Sequence, residues 1–149
     1  MISCSDFIPA YSELFKHLES AAGKKAVVDF WKYLSDGFLD NLRDLVAQRG
    51  IRGCWDYWSH TLNEEAADFT MELDEEAGEF SINMHHCPSK GRLLKMEHIE
   101  PYRDYCAHCD VLYRRVLEPL GYEYIFDSSQ CDQAKCKTVI RAAGKASKL

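Results

Sequence analysis

In the run Tyr105-Cys106-Ala107-His108-Cys109-Asp110, two thiols, an imidazole and a carboxylate fall together on one predicted helix. Residues three or four apart on a helix share a side, so Cys106, Cys109, Asp110 and Tyr113 form one neighbourhood while His108 points elsewhere. A thiolate is a nucleophile and a carboxylate carries protons, so this group has the parts for covalent or general acid–base chemistry. The same positions border a buried stripe of Tyr102, Tyr105, Leu112, Tyr113, Val116 and Leu117, in which a free cysteine can serve as a small hydrophobe. Asp110 at that border needs a hydrogen bond, a cation or a proton, which makes it either a helix-edge surface residue or a site group.

A second group, His85-His86-Cys87-Pro88, stands at a predicted strand end. Alternation places His86 with Ile82 and Met84, and His85 with Asn83 and Cys87, so the two histidines face opposite sides and Cys87 is the stronger site candidate. A third group is Cys131 and Cys136. Together with Cys106 and Cys109 they read C-x2-C, 21 residues, C-x4-C, a spacing close to that of structural zinc sites. On that reading zinc or iron is held by Cys106, Cys109, Cys131 and Cys136, with Cys87 and His85 as rival ligands. On the nucleophile reading no cofactor is needed. The chain has no G-x-G-x-x-G, P-loop, H-E-x-x-H or G-x-S-x-G motif, which argues against nucleotide-driven chemistry.

The elements that must position these groups follow from periodicity. Phe7, Ile8, Tyr11, Leu14, Phe15 and Leu18 recur at helical steps, with Ser5 placed to cap the start and Pro9 expected in the first turn. A second helical run from Val27 through Val46 extends to a stop at Gly50, and residues 51–63 form a third helix. From Ala67 the period becomes two: Phe69, Met71 and Leu73, then Phe80, Ile82 and Met84, which predicts a hairpin ended by Pro88 and Gly91. A short helix is expected over 92–96, a long one over 101–117, and a second strand pair around Tyr122, Tyr124 and Phe126 and around Cys136, Thr138 and Ile140. The order predicts an α+β fold: N-terminal helices packed on a small antiparallel sheet of about four strands, with a long helix between the strand pairs.

At 149 residues, with 46% hydrophobic and 12% aromatic side chains, the chain fits one compact domain over 1–143 and a disordered basic tail over 144–149. A net charge of −6 argues against a nucleic acid partner. No stretch reaches about 18 uncharged apolar residues and no basic, then apolar, leader opens the chain, so no membrane partner is expected. Seven cysteines leave at least one unpaired in any intramolecular disulfide scheme, which suits a reducing compartment and the cytoplasm. Oligomeric state has no signature in the sequence.

Residues 78–142 resemble the L-2-amino-thiazoline-4-carboxylic acid hydrolase family, whose members carry a Cys-Pro pair, a cysteine followed by an aspartate on a helix, and a Gly-Asp and a cysteine before a terminal strand. The matching residues are Cys87-Pro88, Cys106 with Asp110, and Asp132 with Cys136. Gln130-Cys131-Asp132-Gln133 stands where the family has Gly-Asp, and Cys109 is an additional thiol. The resemblance implies hydrolysis of a non-peptide carbon–nitrogen bond in a small cyclic amidine or thiazoline, with Cys106 or Cys87 as nucleophile and Asp110 as acid or base. His85, Tyr105, Cys109 and Tyr113 are then the expected substrate contacts. The rival expectation is a small-molecule or metal sensor without turnover, whose pocket is built from aromatics such as Trp55, Trp58, Tyr102 and Tyr105 and whose cysteines are ligands or redox-sensitive thiols. A plain interaction domain with core cysteines is the third.

Overall fold

The computed structural model describes residues 4–64 and 67–144. The side chain of Ser5, expected to cap the first helix, and the tail beyond Gly144 lie outside the described residues. Helices α1 (Cys4–Ala22), α2 (Lys24–Phe38), α3 (Asp40–Arg49) and α4 (Ile51–Glu64) precede the hairpin β1 (Asp68–Asp74) and β2 (Glu79–His86). Then come α5 (Pro88–Leu94), α6 (Ala107–Leu117), β3 (Tyr122–Asp127) and β4 (Cys136–Ala142). The four strands form one antiparallel sheet in the order β1-β2-β4-β3, as an α+β fold requires. Among the described residues no helix is long and apolar enough to cross a membrane.

Strand alternation sorts the sheet into two faces. Phe80, Ile82 and Met84 of β2, Tyr124 of β3 and Ile140 of β4 are buried against Trp58 of α4 and Leu112 and Val116 of α6. Thr70, Asn83, His85, Glu123 and Lys137 are exposed on the other face. A second apolar cluster, Phe15, Val27, Trp31, Leu93, Tyr102 and Tyr105, joins α1 and α2 to the segment that enters α6. Two buried hydroxyls fix that junction: Ser12 Oγ accepts the Tyr102 amide N–H at 2.7 Å, and Ser35 Oγ donates to the Leu112 carbonyl at 2.8 Å.

Several boundaries differ from the sequence expectation, each for a local reason. Pro9 lies inside α1 rather than in its first turn, since the helix already begins at Cys4. The single helix expected from Val27 to Gly50 breaks at Leu39, whose φ of −97° and ψ of 22° turn the chain while its side chain, 1% exposed, enters the core. Burying Leu39 and Leu42 with Val46 in one cluster outweighs continuing a helix whose end already carries Gly37. The short helix starts at Pro88, not Arg92: Cys87 caps it, its sulfur accepting the Lys90 N–H at 3.5 Å, and proline suits the first helical position. Gly91 belongs to that helix, where the His86 ring packs against its bare Cα. The helix expected from Pro101 begins only at Ala107, because residues 102–106 form tight turns that insert the Tyr102 and Tyr105 rings beside Phe15.

Gly53 marks a close contact between two helices. A Cβ there would overlap the Leu45 carbonyl of α3, so α3 and α4 approach only because this residue has no side chain. Gly53→Ala is therefore expected to cost about 2 kcal/mol through forced separation of the two helices, read as a lowered denaturation midpoint with an unchanged slope. An unchanged midpoint would show that the contact carries no strain.

Candidate functional site

The sequence scatters its thiols over 87–136, and the fold gathers them at one end of the sheet around two cavities that share Phe126 as a wall. The inner cavity, about 220 Å³, lies between the sheet and α4, α5 and α6 and is walled by Trp58, Tyr113, Tyr124 and Phe126. Cys87, His108, Cys109 and Cys136 also face it, with Ser89 and Thr138 as further polar groups and no carboxylate, lysine or arginine in its lining. The outer cleft, about 410 Å³, is lined by Lys90, Arg103, Cys106, Asp110, Arg114, Cys131 and Asp132.

His108 and Cys109 form a hydrogen-bonded pair at the inner cavity. The His108 ring sits in an aromatic box, its centroid 4.9 Å from Tyr105, 5.8 Å from Tyr11, 6.1 Å from Phe15 and 6.5 Å from Trp31. Its Nδ1 bonds the Tyr105 carbonyl oxygen. A carbonyl only accepts, so the proton of the neutral ring is on Nδ1 and Nε2 carries a free lone pair. That lone pair is 3.4 Å from Cys109 Sγ, so the thiol donates to it. A nucleophile, a base and a group that orients the base are thereby in line: Cys109 Sγ–H, His108 and the Tyr105 carbonyl.

Burial sets the protonation of this pair. Desolvation lowers the His108 pKa to about 4, against a smaller opposing effect of the Tyr105 carbonyl, so the ring is neutral at pH 7. Desolvation also raises Cys109 to about 12, assisted by the Asp110 charge. Cys136 is raised to about 12, mainly by burial. Cys87 is raised by burial in spite of the backbone N–H groups of Lys90 and Ser89 that favour its thiolate. The cavity is thus a neutral, aromatic chamber of protonated thiols with one poised acceptor. Tyr105 braces its edge through a 2.7 Å hydrogen bond with Ser89.

Other expected groups are placed apart. Cys106 and Asp110 open on the outer cleft, not the cavity, because α6 starts at Ala107 and leaves Cys106 at its N-cap. Asp110 is held by Arg114, whose Nη2 and Nε donate to one carboxylate oxygen at 2.6 and 3.1 Å. His85 sits on the exposed face of the sheet, bonded to Thr70 at 2.8 Å, beside a register shift that pairs Asp68 with His86 and Phe69 with Met84. It does not share the side of Cys87, since β2 ends at His86 and the chain turns there into α5. Of the sensor aromatics, Trp58 walls the cavity, Trp55 packs on Phe80, and Tyr102 and Tyr105 fill the second cluster. The proposed zinc quartet divides, Cys106 and Cys131 on the cleft and Cys109 and Cys136 on the cavity. Among the described residues no three His, Cys, Asp or Glu side chains converge to hold an ion. His108, set aside on helical spacing, is the residue that sequence reasoning missed. Its position next to Cys109 becomes meaningful once the ring folds back to the carbonyl three residues earlier.

Comparison with known proteins finds no matching family model, no matching curated protein and no matching solved structure.

The lowered His108 pKa makes a stability prediction. Unfolded His108 takes up a proton near pH 6.5 while the folded ring stays neutral down to about 4, so its contribution is full above pH 6.5 and is lost as pH falls toward 4. Denaturant titrations of wild type and His108→Gln should diverge over that window, wild type losing about 3 kcal/mol more than the variant. Parallel curves would contradict a buried neutral ring.

Proposed function

We propose that this protein is a thiol-dependent hydrolase that opens a non-peptide carbon–nitrogen bond in a small, uncharged, planar ring of the cyclic amidine or thiazoline class, with Cys109 as nucleophile and His108 as its base. The observation that carries this reading is the Cys109 Sγ to His108 Nε2 contact at the wall of the inner cavity, with Nδ1 tied to a carbonyl. The roles first assigned to Cys106 and Asp110 pass to Cys109 and His108, the pair that faces the cavity. The family resemblance in residues 78–142 supports the substrate class, and the aromatic walls and lack of charged lining residues suit a flat neutral ring. In the proposed step the Cys109 proton moves to His108 as sulfur adds to the C=N carbon, and the imidazolium returns it to the ring nitrogen. The C–N bond then breaks as that nitrogen takes a second proton, given up by the other amidine nitrogen as it forms a C=N bond to the same carbon. Water oxygen adds to this carbon, the C–S bond breaks, and a water proton passed through His108 restores the Cys109 thiol. Because both partners rest neutral, the charge pair exists only during reaction, inside a site whose lining carries no carboxylate, lysine or arginine. No cofactor enters this scheme. A cytoplasmic setting, in which seven cysteines remain thiols, is part of the proposal.

A specific observation favours a second reading: burial holds Cys87, Cys109 and Cys136 as thiols, which suits a chamber that binds such rings without consuming them. One experiment separates the two. A panel of cyclic amidines and thiazolines is incubated with the protein and ring opening is followed by mass spectrometry, with binding followed by calorimetry. The hydrolase reading expects turnover that Cys109→Ala abolishes, that His108→Gln lowers by about 100-fold or more, and that Cys106→Ser and Asp110→Asn leave near wild type. Binding without ring opening would establish the second reading. Turnover that survives in Cys109→Ala would overturn the nucleophile assignment.

A further inference from the structure

The outer cleft holds chemistry that the inner cavity does not use. Cys106 stands at the N-cap of α6, and Cys131 begins the short 3-10 turn Cys131–Gln133 that links β3 to β4. Both line the cleft of about 410 Å³ and both are half-buried, so a small reagent in the cleft can reach them. Burial raises the pKa of both thiols, and the interaction between their side chains holds Cys106 further toward its protonated form while easing ionisation of Cys131, the less strongly raised of the two. Lys90 lines the same cleft, and its charge offsets a small part of that effect at each thiol. Cys109 and Cys136 reach the pair only through longer-range charge effects and face the inner cavity instead.

We propose that Cys106 and Cys131 form a thiol–disulfide exchange site for low-molecular-weight disulfides of the glutathione type, with Cys131 as the attacking thiol and Cys106 as the resolving one. The Cys131 thiolate attacks one sulfur of the disulfide. A protein–glutathione mixed disulfide forms, the original S–S bond breaks, and one glutathione thiolate leaves and takes up a proton. Cys106, giving up its own proton, then attacks the Cys131 sulfur, forms the Cys106–Cys131 bond and expels the second glutathione. Two protein thiols are oxidised and one small disulfide is reduced to two thiols, so atoms and electrons balance. The new bond ties the β3–β4 connection to the start of α6, across the cleft bordered by Phe126, the wall it shares with the catalytic cavity. Exchange at Cys106 and Cys131 is independent of the proposed hydrolysis.

The test is equilibration of the full chain in buffers of stepped oxidised-to-reduced glutathione ratio, quenched by acid and alkylation, with intact mass and peptide mapping. The expected product is a single intramolecular disulfide between Cys106 and Cys131, reversed by excess reduced glutathione and formed equally in Cys109→Ala protein. Cys106→Ser should arrest the reaction with glutathione on Cys131, and Cys131→Ser should leave Cys106 largely unmodified. Circular dichroism verifies that each variant folds. No disulfide even in fully oxidised buffer would overturn the proposal, as would a bond from Cys131 to any other cysteine or no trapped adduct in Cys106→Ser.

Discussion

The bond from His108 Nδ1 to the Tyr105 carbonyl is the constraint on which the site depends. It selects the tautomer, aims Nε2 at Cys109 and fixes the first turn of α6. Apart from that carbonyl and the Cys109 thiol, the imidazole is surrounded by the rings of Tyr11, Phe15, Trp31 and Tyr105, which offer its nitrogens no competing acceptor at this distance. Three of these residues come from α1 and α2, and none from the sheet. The N-terminal helices therefore do more than cover a core. Through Ser12 on the Tyr102 amide and Ser35 on the Leu112 carbonyl, they set where α6 starts and how it lies on β3.

Position divides the thiols between two differently charged surroundings, although burial raises the pKa of those in both. The outer cleft is charged, with Lys90, Arg103 and Arg114 set among Asp104, Asp110 and Asp132. The inner cavity has no formal charge in its lining, so desolvation dominates and its thiols stay protonated. A resting thiolate–imidazolium pair would need compensation that this chamber does not offer. A neutral hydrogen-bonded pair needs none, which is why the geometry suits proton transfer coupled to attack better than a preformed anion. The ion pair of Asp110 with Arg114 keeps that carboxylate engaged outside the chamber, close enough to raise Cys109 and turned away from any ligand inside.

Much of the fold was legible because its strongest signals are periodic. Phe69, Met71 and Leu73 against Phe80, Ile82 and Met84 specify the first hairpin and its buried face, and Tyr122 to Phe126 with Cys136 to Ile140 specify the second. Gly50 ends α3 at a φ of 61°, a conformation suited to glycine, as expected of a C-terminal stop. Less legible were the points where tertiary burial overrides local preference: the break at Leu39, and the turns at 102–106 that spend a helical pattern on filling the aromatic cluster. The second of these governed the site. A helix drawn from Pro101 makes Cys106 and Cys109 neighbours on one face and sends His108 away. With the start at Ala107, Cys106 falls to the cleft and His108 folds back on the preceding turn. Cys87, Cys109 and Tyr113 were singled out by type and do line the cavity. His85 was lost at the shifted end of β2, where alternation ceases to apply.

The tautomer of His108 is the most direct test of the account, because the direction of both its hydrogen bonds follows from which nitrogen carries the proton. Nitrogen-15 NMR of imidazole-labelled protein at pH 7 resolves this. The account predicts a neutral His108 with a protonated Nδ1 and an unprotonated Nε2, the latter shifted when Cys109 is replaced by alanine. A ring protonated on Nε2, or one carrying both protons, would remove the acceptor that Cys109 requires and contradict the assignment of the pair.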